Sequence, residues 1–214
     1  MIKIQSFPCN YFEENCYILY DETKEAVIID CGCLHPKEEE RLSSFIKANG
    51  LTPKHLLCTH LHLDHIFGNA YVFKTYGLTP KAHKADITNL PSLQKQADGM
   101  GLQRNMNEVP IDENYLEEGD VIHFGESTLS IFEVPGHSPG SVAFYAEQDA
   151  FVISGDALFR ESIGRTDLWG GNYDQLLSSI REKLLSLPEN TVVYAGHGPQ
   201  TSIAHEKKYN PFLR

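Results

Sequence analysis

Residues 58–65 read CTHLHLDH. His60, His62, Asp64 and His65 fall within six positions of a chain that has ten histidines in all. The apolar run Leu56-Leu57-Cys58 precedes them and a helix-like pattern follows, so the cluster sits where a strand gives way to a turn. At a strand end, residues i and i+2 point the same way, and His60 and His62 can present two imidazoles to one point. Asp64 and His65 lie at the entry to the next helix and can face a second point nearby. Neutral imidazole and carboxylate together suit zinc and other borderline divalent cations. Four such groups in six residues can hold parts of two adjacent metal sites, though not complete either.

Three distant stretches have the form the remainder needs. VPGHSPGS (134–141) carries His137, VISGDALF (152–159) carries Asp156, and VVYAGHGP (192–199) carries His197. In each, an apolar strand ends in Gly-His or Gly-Asp. Gly136 and Gly140 permit a sharp turn around His137. Singly, a Gly-His is a turn residue facing water and a Gly-Asp is a turn or helix cap; it is the joint pattern that makes them ligand candidates. His35, His55, His83, His123 and His205 lack this context and read as surface or capping residues.

The rest of the chain bounds the reading. With 214 residues it is long enough for a substantial core. A formal net charge of −11 with no Lys/Arg block argues against nucleic acid as partner. The five cysteines form no C-x-x-C pair, and their odd number favours a reducing compartment over a disulfide framework. The N-terminus lacks the apolar core of a signal peptide. No run approaches the roughly 20 apolar residues of a membrane helix. The expectation is a cytoplasmic protein with no membrane partner, one domain over 1–214, and an oligomeric state the sequence does not report.

Strands are expected at IKIQSF, NCYILY, AVIID (26–30), HLLCT (55–59), VIHF, TLSIFEV, SVAFYAE, AFVISG and TVVYAG. Helices are expected over 36–49 with Gly50 just past the end, over 65–76, over 172–187 with Asn172 as cap, and over 202–209. Residues 84–119 read as short helices and loops that shape or cover a pocket, or as a plain surface excursion. Hairpin-like groups among the strands point to mixed α/β sheets rather than a doubly wound parallel fold.

THLHLDH, GHSPGS, SGDALF and GHGP, in this order, resemble the metallo-β-lactamase fold superfamily. The resemblance spans nearly the whole chain, and SIGRTDLWGGNYDQLLSSIREKL with GHGPQTSIAHEKKYNPF is similar to compact hydroxyacylglutathione hydrolases (the glyoxalase II group). It implies an α/β fold, the αββα sandwich: two mixed sheets face to face, helices outside, metals at one edge. It implies that His60, His62 and His137 bind one divalent metal, that Asp64, His65 and His197 bind a second, and that Asp156 bridges them. Zinc is the first choice, with iron or manganese as alternatives. The implied reaction is hydrolysis of a small-molecule thioester such as S-D-lactoylglutathione by a metal-bridging hydroxide, with Asp64 and Asp156 as catalytic ligands.

Two departures bear on the substrate. The C-terminal helical domain of larger glyoxalase II enzymes has no counterpart in these 214 residues. Arg165 matches a basic position that holds the glutathione glycine end, but Asp167 stands where a tyrosine follows. Arg165 can pair with a substrate carboxylate or with a neighbour in the chain. Asp30 reads either as a hydrogen-bond partner behind a ligand histidine or as a turn residue. The competing readings are a mononuclear-iron persulfide dioxygenase using His60, His137 and Asp156, a hydrolase of another ester, lactone, phosphodiester or β-lactam bond, and a non-catalytic metal-binding module.

Overall fold

The first apolar runs pair as a meander in the computed structural model, which describes residues 1–214. Strands β1 (Lys3–Cys9), β2 (Glu14–Tyr20) and β3 (Glu25–Ile29) are antiparallel neighbours. Helix α1 (Pro36–Ala48) then returns the chain so that β4 (Thr52–Leu57) lies parallel to β3, and a two-residue β5 (Pro80–Lys81) pairs parallel with β4. The side-chain period of two decides the burial. Tyr17, Leu19, Val27 and Ile29 face the interior between two sheets. Ile18, Ala26 and Ile28 face the other way, against Leu42 and Ile46 of α1. Both faces are covered, which is why these strands read as unbroken apolar runs.

The second sheet has the order β13-β12-β9-β8-β7-β6. Its strands are β6 (Val121–Phe124), β7 (Ser127–Glu133), β8 (Val142–Ala146), β9 (Phe151–Gly155), β12 (Val192–Ala195) and β13 (Thr201–Ser202). All neighbours are antiparallel except β9 and β12. Leu129, Ile131, Val142, Phe144 and Ile153 meet the first sheet, while Val134, Ala143, Val152 and Val193 meet α6 (Tyr173–Ser179) and α7 (Ile203–Tyr209) on the outside. Two mixed sheets packed face to face with helices outside are the expected αββα sandwich. The connections hold α2 (Leu63–Ile66) and α3 (Asn69–Tyr76) between β4 and β5, α4 (Lys84–Asn89) and α5 (Leu93–Gly99) between β5 and β6, and the small hairpin of β10 (Leu158–Phe159) with β11 (Ser162–Ile163) after β9.

Two helices differ from expectation. The helix over 65–76 is broken at Phe67-Gly68 into α2 and α3. Gly68 packs against the turn after β3: its N–H donates to the Cys31 carbonyl at 2.7 Å, and a Cβ there would lie 2.5 Å from Cys31 Sγ. The helix over 172–187 is capped by Asn172, whose side chain accepts from Gln175 N at 3.1 Å, but after Ser179 it widens into a π turn over Ile180–Leu184. Leu176, Ile180 and Leu184 are all fully buried. A spacing of four drifts about 40° per step around an α-helix. The wider turn, closed by Leu185 N to Ile180 O at 2.8 Å, keeps these side chains on one face.

Candidate metal centre

The three strand-end stretches and the histidine cluster meet at one edge of the sandwich. His60 and His62 follow β4, His137 lies between β7 and β8, Asp156 follows β9, and His197 follows β12. His137 Nε2 lies 3.2 Å from His60 Nε2 and 2.8 Å from His62 Nδ1. His197 Nε2 lies 3.1 Å from Asp64 Oδ2, and His65 Nε2 lies 3.6 Å from the same oxygen. Asp156 stands between the groups: Oδ1 is 3.4 Å from His65 Nε2, and Oδ2 is 3.5 Å from both His137 Nε2 and His197 Nε2. His60/His62/His137 and Asp64/His65/His197 each bring three ligand atoms within coordinating range of one another. All seven candidate residues therefore converge.

The outward hydrogen bonds set the tautomers. His60 Nδ1 donates to Thr59 Oγ1 at 3.0 Å, which in turn donates to Asp30 Oδ2 at 2.6 Å. His65 Nδ1 donates to Asp30 Oδ2 at 3.0 Å, His137 Nδ1 to the Arg165 carbonyl at 2.8 Å, and His197 Nδ1 to the Phe12 carbonyl at 2.9 Å. A neutral imidazole that donates outward through Nδ1 turns its Nε2 lone pair inward. Four Nε2 atoms thus face the centre, and His65 Nε2 and Asp156 Oδ1 are buried without a hydrogen-bond partner. Buried polar atoms left in that state are costly. Such a donor set fits divalent cations.

Electrostatics divides the two groups. Burial, and then the neighbouring imidazoles, push His60 well below the ordinary histidine range, and burial with His137 pushes His62 down to about 3. Both are neutral and ready to coordinate. Burial also acts against a charge on His65, but the Asp156 and Asp64 carboxylates outweigh it and hold that imidazole well above its ordinary value. The imidazoles in turn outweigh burial at Asp64 and Asp156 and hold both below the carboxylate range. Of the two groups, only the second contains a carboxylate of its own, Asp64.

Asp30 stands behind the candidate ligand His65 rather than in an open turn: it is buried, adopts φ 53°, and accepts from Thr59 N at 2.7 Å as well as from His65. Arg165 lines the cavity over the metal centre, yet its guanidinium makes a bidentate pair with Asp167 at 2.7 and 2.8 Å. The cavity, of about 380 Å³, is walled by Phe12, Leu63, Met100, Phe159 and Trp169 beside the polar centre. Part of the 84–119 segment does shape it, through Gln96 and Met100.

Residues that carried no sequence signal hold the cluster in place. Asp86 accepts from Leu61 N at 2.9 Å, from Ser138 Oγ at 2.9 Å and from Gly140 N at 2.5 Å, so it ties the His60–His62 loop to the His137 turn. Gln96 donates to Leu61 O and accepts from Leu63 N, at 2.9 and 3.0 Å. Glu14 is fully buried with both oxygens unpartnered, 3.9 Å from His65 Nδ1. Of the other histidines, His35 and His83 precede α1 and α4 as caps, and His205 pairs with Glu161.

Comparison with known proteins agrees with this geometry. Residues 10–197 match the metallo-beta-lactamase superfamily. A probable metallo-hydrolase, YqgX of Bacillus subtilis, is 38% identical over 99% of this chain and 98% of its own length. The hydroxyacylglutathione hydrolase GloC of Haemophilus influenzae is 37% identical with the same coverage. Among solved structures, the BLEG-1 B3 metallo-beta-lactamase superposes with TM-score 0.88 at 39% identity, covering 99% of each chain. TTHA1623 in a di-iron-bound form gives 0.86 at 36%, covering 98% of this chain and 100% of that one. Motif order, fold and relatives agree, and this chain belongs to the metallo-β-lactamase superfamily.

Proposed function

We propose that residues 1–214 act as one domain, a cytoplasmic hydrolase of small-molecule thioesters of the S-D-lactoylglutathione kind. The observation that carries this is the placement of Asp156 between two three-ligand groups. His60, His62 and His137 would hold one divalent cation, Asp64, His65 and His197 a second, and Asp156 both. Bound there, a cation pair supplies Lewis acidity and lowers the pKa of water from about 15.7 toward roughly 7. Zinc suits the donors, and the di-iron form of TTHA1623 supports iron as the alternative.

The chain's own residues do the rest. Thr59, Asp30, Arg165 O and Phe12 O fix the imidazole tautomers. The walls from Phe12, Met100, Phe159 and Trp169 exclude water around an acyl group. Arg165 meets a substrate carboxylate once Asp167 releases it. GloC, 37% identical, supports a glutathione-linked thiol. No helix is long and apolar enough to cross a membrane.

A second reading has its own support. His60 and Asp156 Oδ2 lie 3.2 and 3.5 Å from His137 Nε2, through Nε2 in the case of His60, and these three side chains can form the facial triad of a mononuclear iron dioxygenase. The similarity to BLEG-1 also keeps the β-lactam bond among the competitors.

The deciding experiment is thiol release from S-D-lactoylglutathione, with metal content measured on the same sample. Turnover that stops with a chelator and in His62→Ala is expected. A protein with two metals and no turnover moves the assignment to another bond, starting with a chromogenic cephalosporin. One iron per chain and oxygen consumption with glutathione persulfide moves it to the dioxygenase.

A further inference from the structure

Four thiols have no part in this chemistry. Cys9 ends β1, Cys16 lies in β2, and Cys31 and Cys33 flank Gly32 in the turn after β3. All four are buried and belong to one core cluster under α1, whereas Cys58 lies in another. Cys9 Sγ and Cys33 Sγ are 3.5 Å apart and share a thiol hydrogen bond, and Cys16 and Cys31 belong to the same buried cluster. The chain holds no disulfide. Cys9 and Cys33 each retain 1% exposure where Cys16 and Cys31 have none, and Cys9 leads directly into the 10–13 turn, whose Tyr11 is 71% exposed.

We propose that Cys9 and Cys33 are an oxidisable dithiol that a peroxide closes to a disulfide. One sulfur attacks a peroxide oxygen as thiolate, the O–O bond breaks, and a sulfenic acid and water form. The second sulfur displaces the sulfenic hydroxyl as a second water. The pair loses two electrons and two protons, and the peroxide is reduced to two waters. Closure brings the sulfurs from 3.5 Å to about 2.05 Å. Cys16 draws the Cys9 thiol down, but Cys33 and burial outweigh it and keep that thiol protonated, so the reaction is slow.

The two cysteines sit on the loops that hold the second ligand group from behind. Beside Cys9, Asn10 donates through Nδ2 to Gly32 O and Asp64 O, both at 2.9 Å, and Phe12 O receives His197 Nδ1. Beside Cys33, Asp30 receives His65 Nδ1. Closing the dithiol draws these loops together and weakens cation retention at Asp64, His65 and His197. This coupling rests on the metal reading above; the disulfide itself does not.

The test treats zinc-loaded protein with hydrogen peroxide, alkylates it in denaturant and maps the peptides without reduction. The expected product links Cys9 to Cys33, is two hydrogens lighter than its parts and reverts with dithiothreitol. Fragmentation assigns the pair; Cys33→Ala abolishes the link and Cys31→Ala retains it. Zinc falls from two toward one per chain and returns after reduction with added zinc. Five alkylated thiols, a sulfinic acid in place of a link, or a link that survives Cys33→Ala overturns the dithiol. So does zinc above two per chain that is released by alkylating the cluster. A Cys9–Cys33 link with unchanged zinc content overturns the coupling alone.

Discussion

Asp30 shows how much of the candidate site depends on atoms behind the imidazoles. Its carboxylate orients His65 directly and His60 through Thr59, so one side chain serves both groups. Asp30→Ala is expected to weaken cation affinity about 10–100-fold, the usual cost of losing such a partner. Competition against a chromogenic chelator reads this, and unchanged affinity would remove Asp30 from the centre. Asp167 tests the other end of the cavity. Its pair with Arg165 is largely exposed, and exposed pairs contribute about 0.2–1 kcal/mol. Asp167→Asn should therefore lower KM for S-D-lactoylglutathione by no more than about five-fold, a shift derived from that range. A neutral thioester should show no such shift, and equal shifts for both substrates would exclude Arg165 as the carboxylate contact.

At the scale of elements, breaks in the helices carry the information. The α2–α3 break lets Gly68 close on the turn that bears Asp30, Cys31 and Cys33. Gly68→Ala places a methyl group against Cys31 Sγ and should destabilise by roughly 1–3 kcal/mol, as overpacking does. Chemical denaturation at constant slope would report it as a lower midpoint, and an unchanged midpoint would show that the turn yields freely. Both helical departures have one cause. Local spacing predicts a continuous helix, while contact with a neighbouring turn or sheet decides where it breaks or widens.

For the whole molecule, the edge-on site makes cation binding a matter of stability. A ligand present at about 100 times its Kd stabilises by about 2.7 kcal/mol. For a chain of this size, 1 kcal/mol moves Tm by roughly 2–4 °C, so stripping one cation should lower Tm by roughly 5–10 °C. A Tm insensitive to chelator would contradict the two-cation reading. At the opposite end of the sandwich, Asp21 of the first sheet accepts from Glu126 N and Ser127 Oγ of the second at 2.8 and 2.9 Å. Burial opposes its charge, but the hydrogen bonds from Thr23, Glu126 and Ser127 outweigh it and hold this carboxyl below the ordinary range. Because the folded pKa is depressed, the stabilisation is present above about pH 3.9, the unfolded value, and is lost as pH falls through the folded one. Asp21→Asn should cost on the order of 1–3 kcal/mol at pH 7. Denaturation curves of the two proteins should converge under acid, and a gap that persists there would show that the loss is steric.

The apolar runs, the H-x-H-x-D-H spacing and the Gly-His and Gly-Asp strand ends were legible because each is local. A period of two orients His60 and His62, and a glycine after an apolar run ends a strand. Those features alone determined the strands, the ligand candidates and the resemblance to the superfamily. Tertiary structure decided the rest. Asp86, Gln96, Glu14 and the Cys9–Cys33 pair lie among ordinary neighbours in sequence and acquire a role only where distant loops meet. Two-residue strands such as β5 and β13 have no pattern of their own and exist because a longer neighbour offers its edge. The pairing of Arg165 with Asp167 was likewise open in the chain, because an exposed ion pair depends on how a loop folds rather than on which residues it contains.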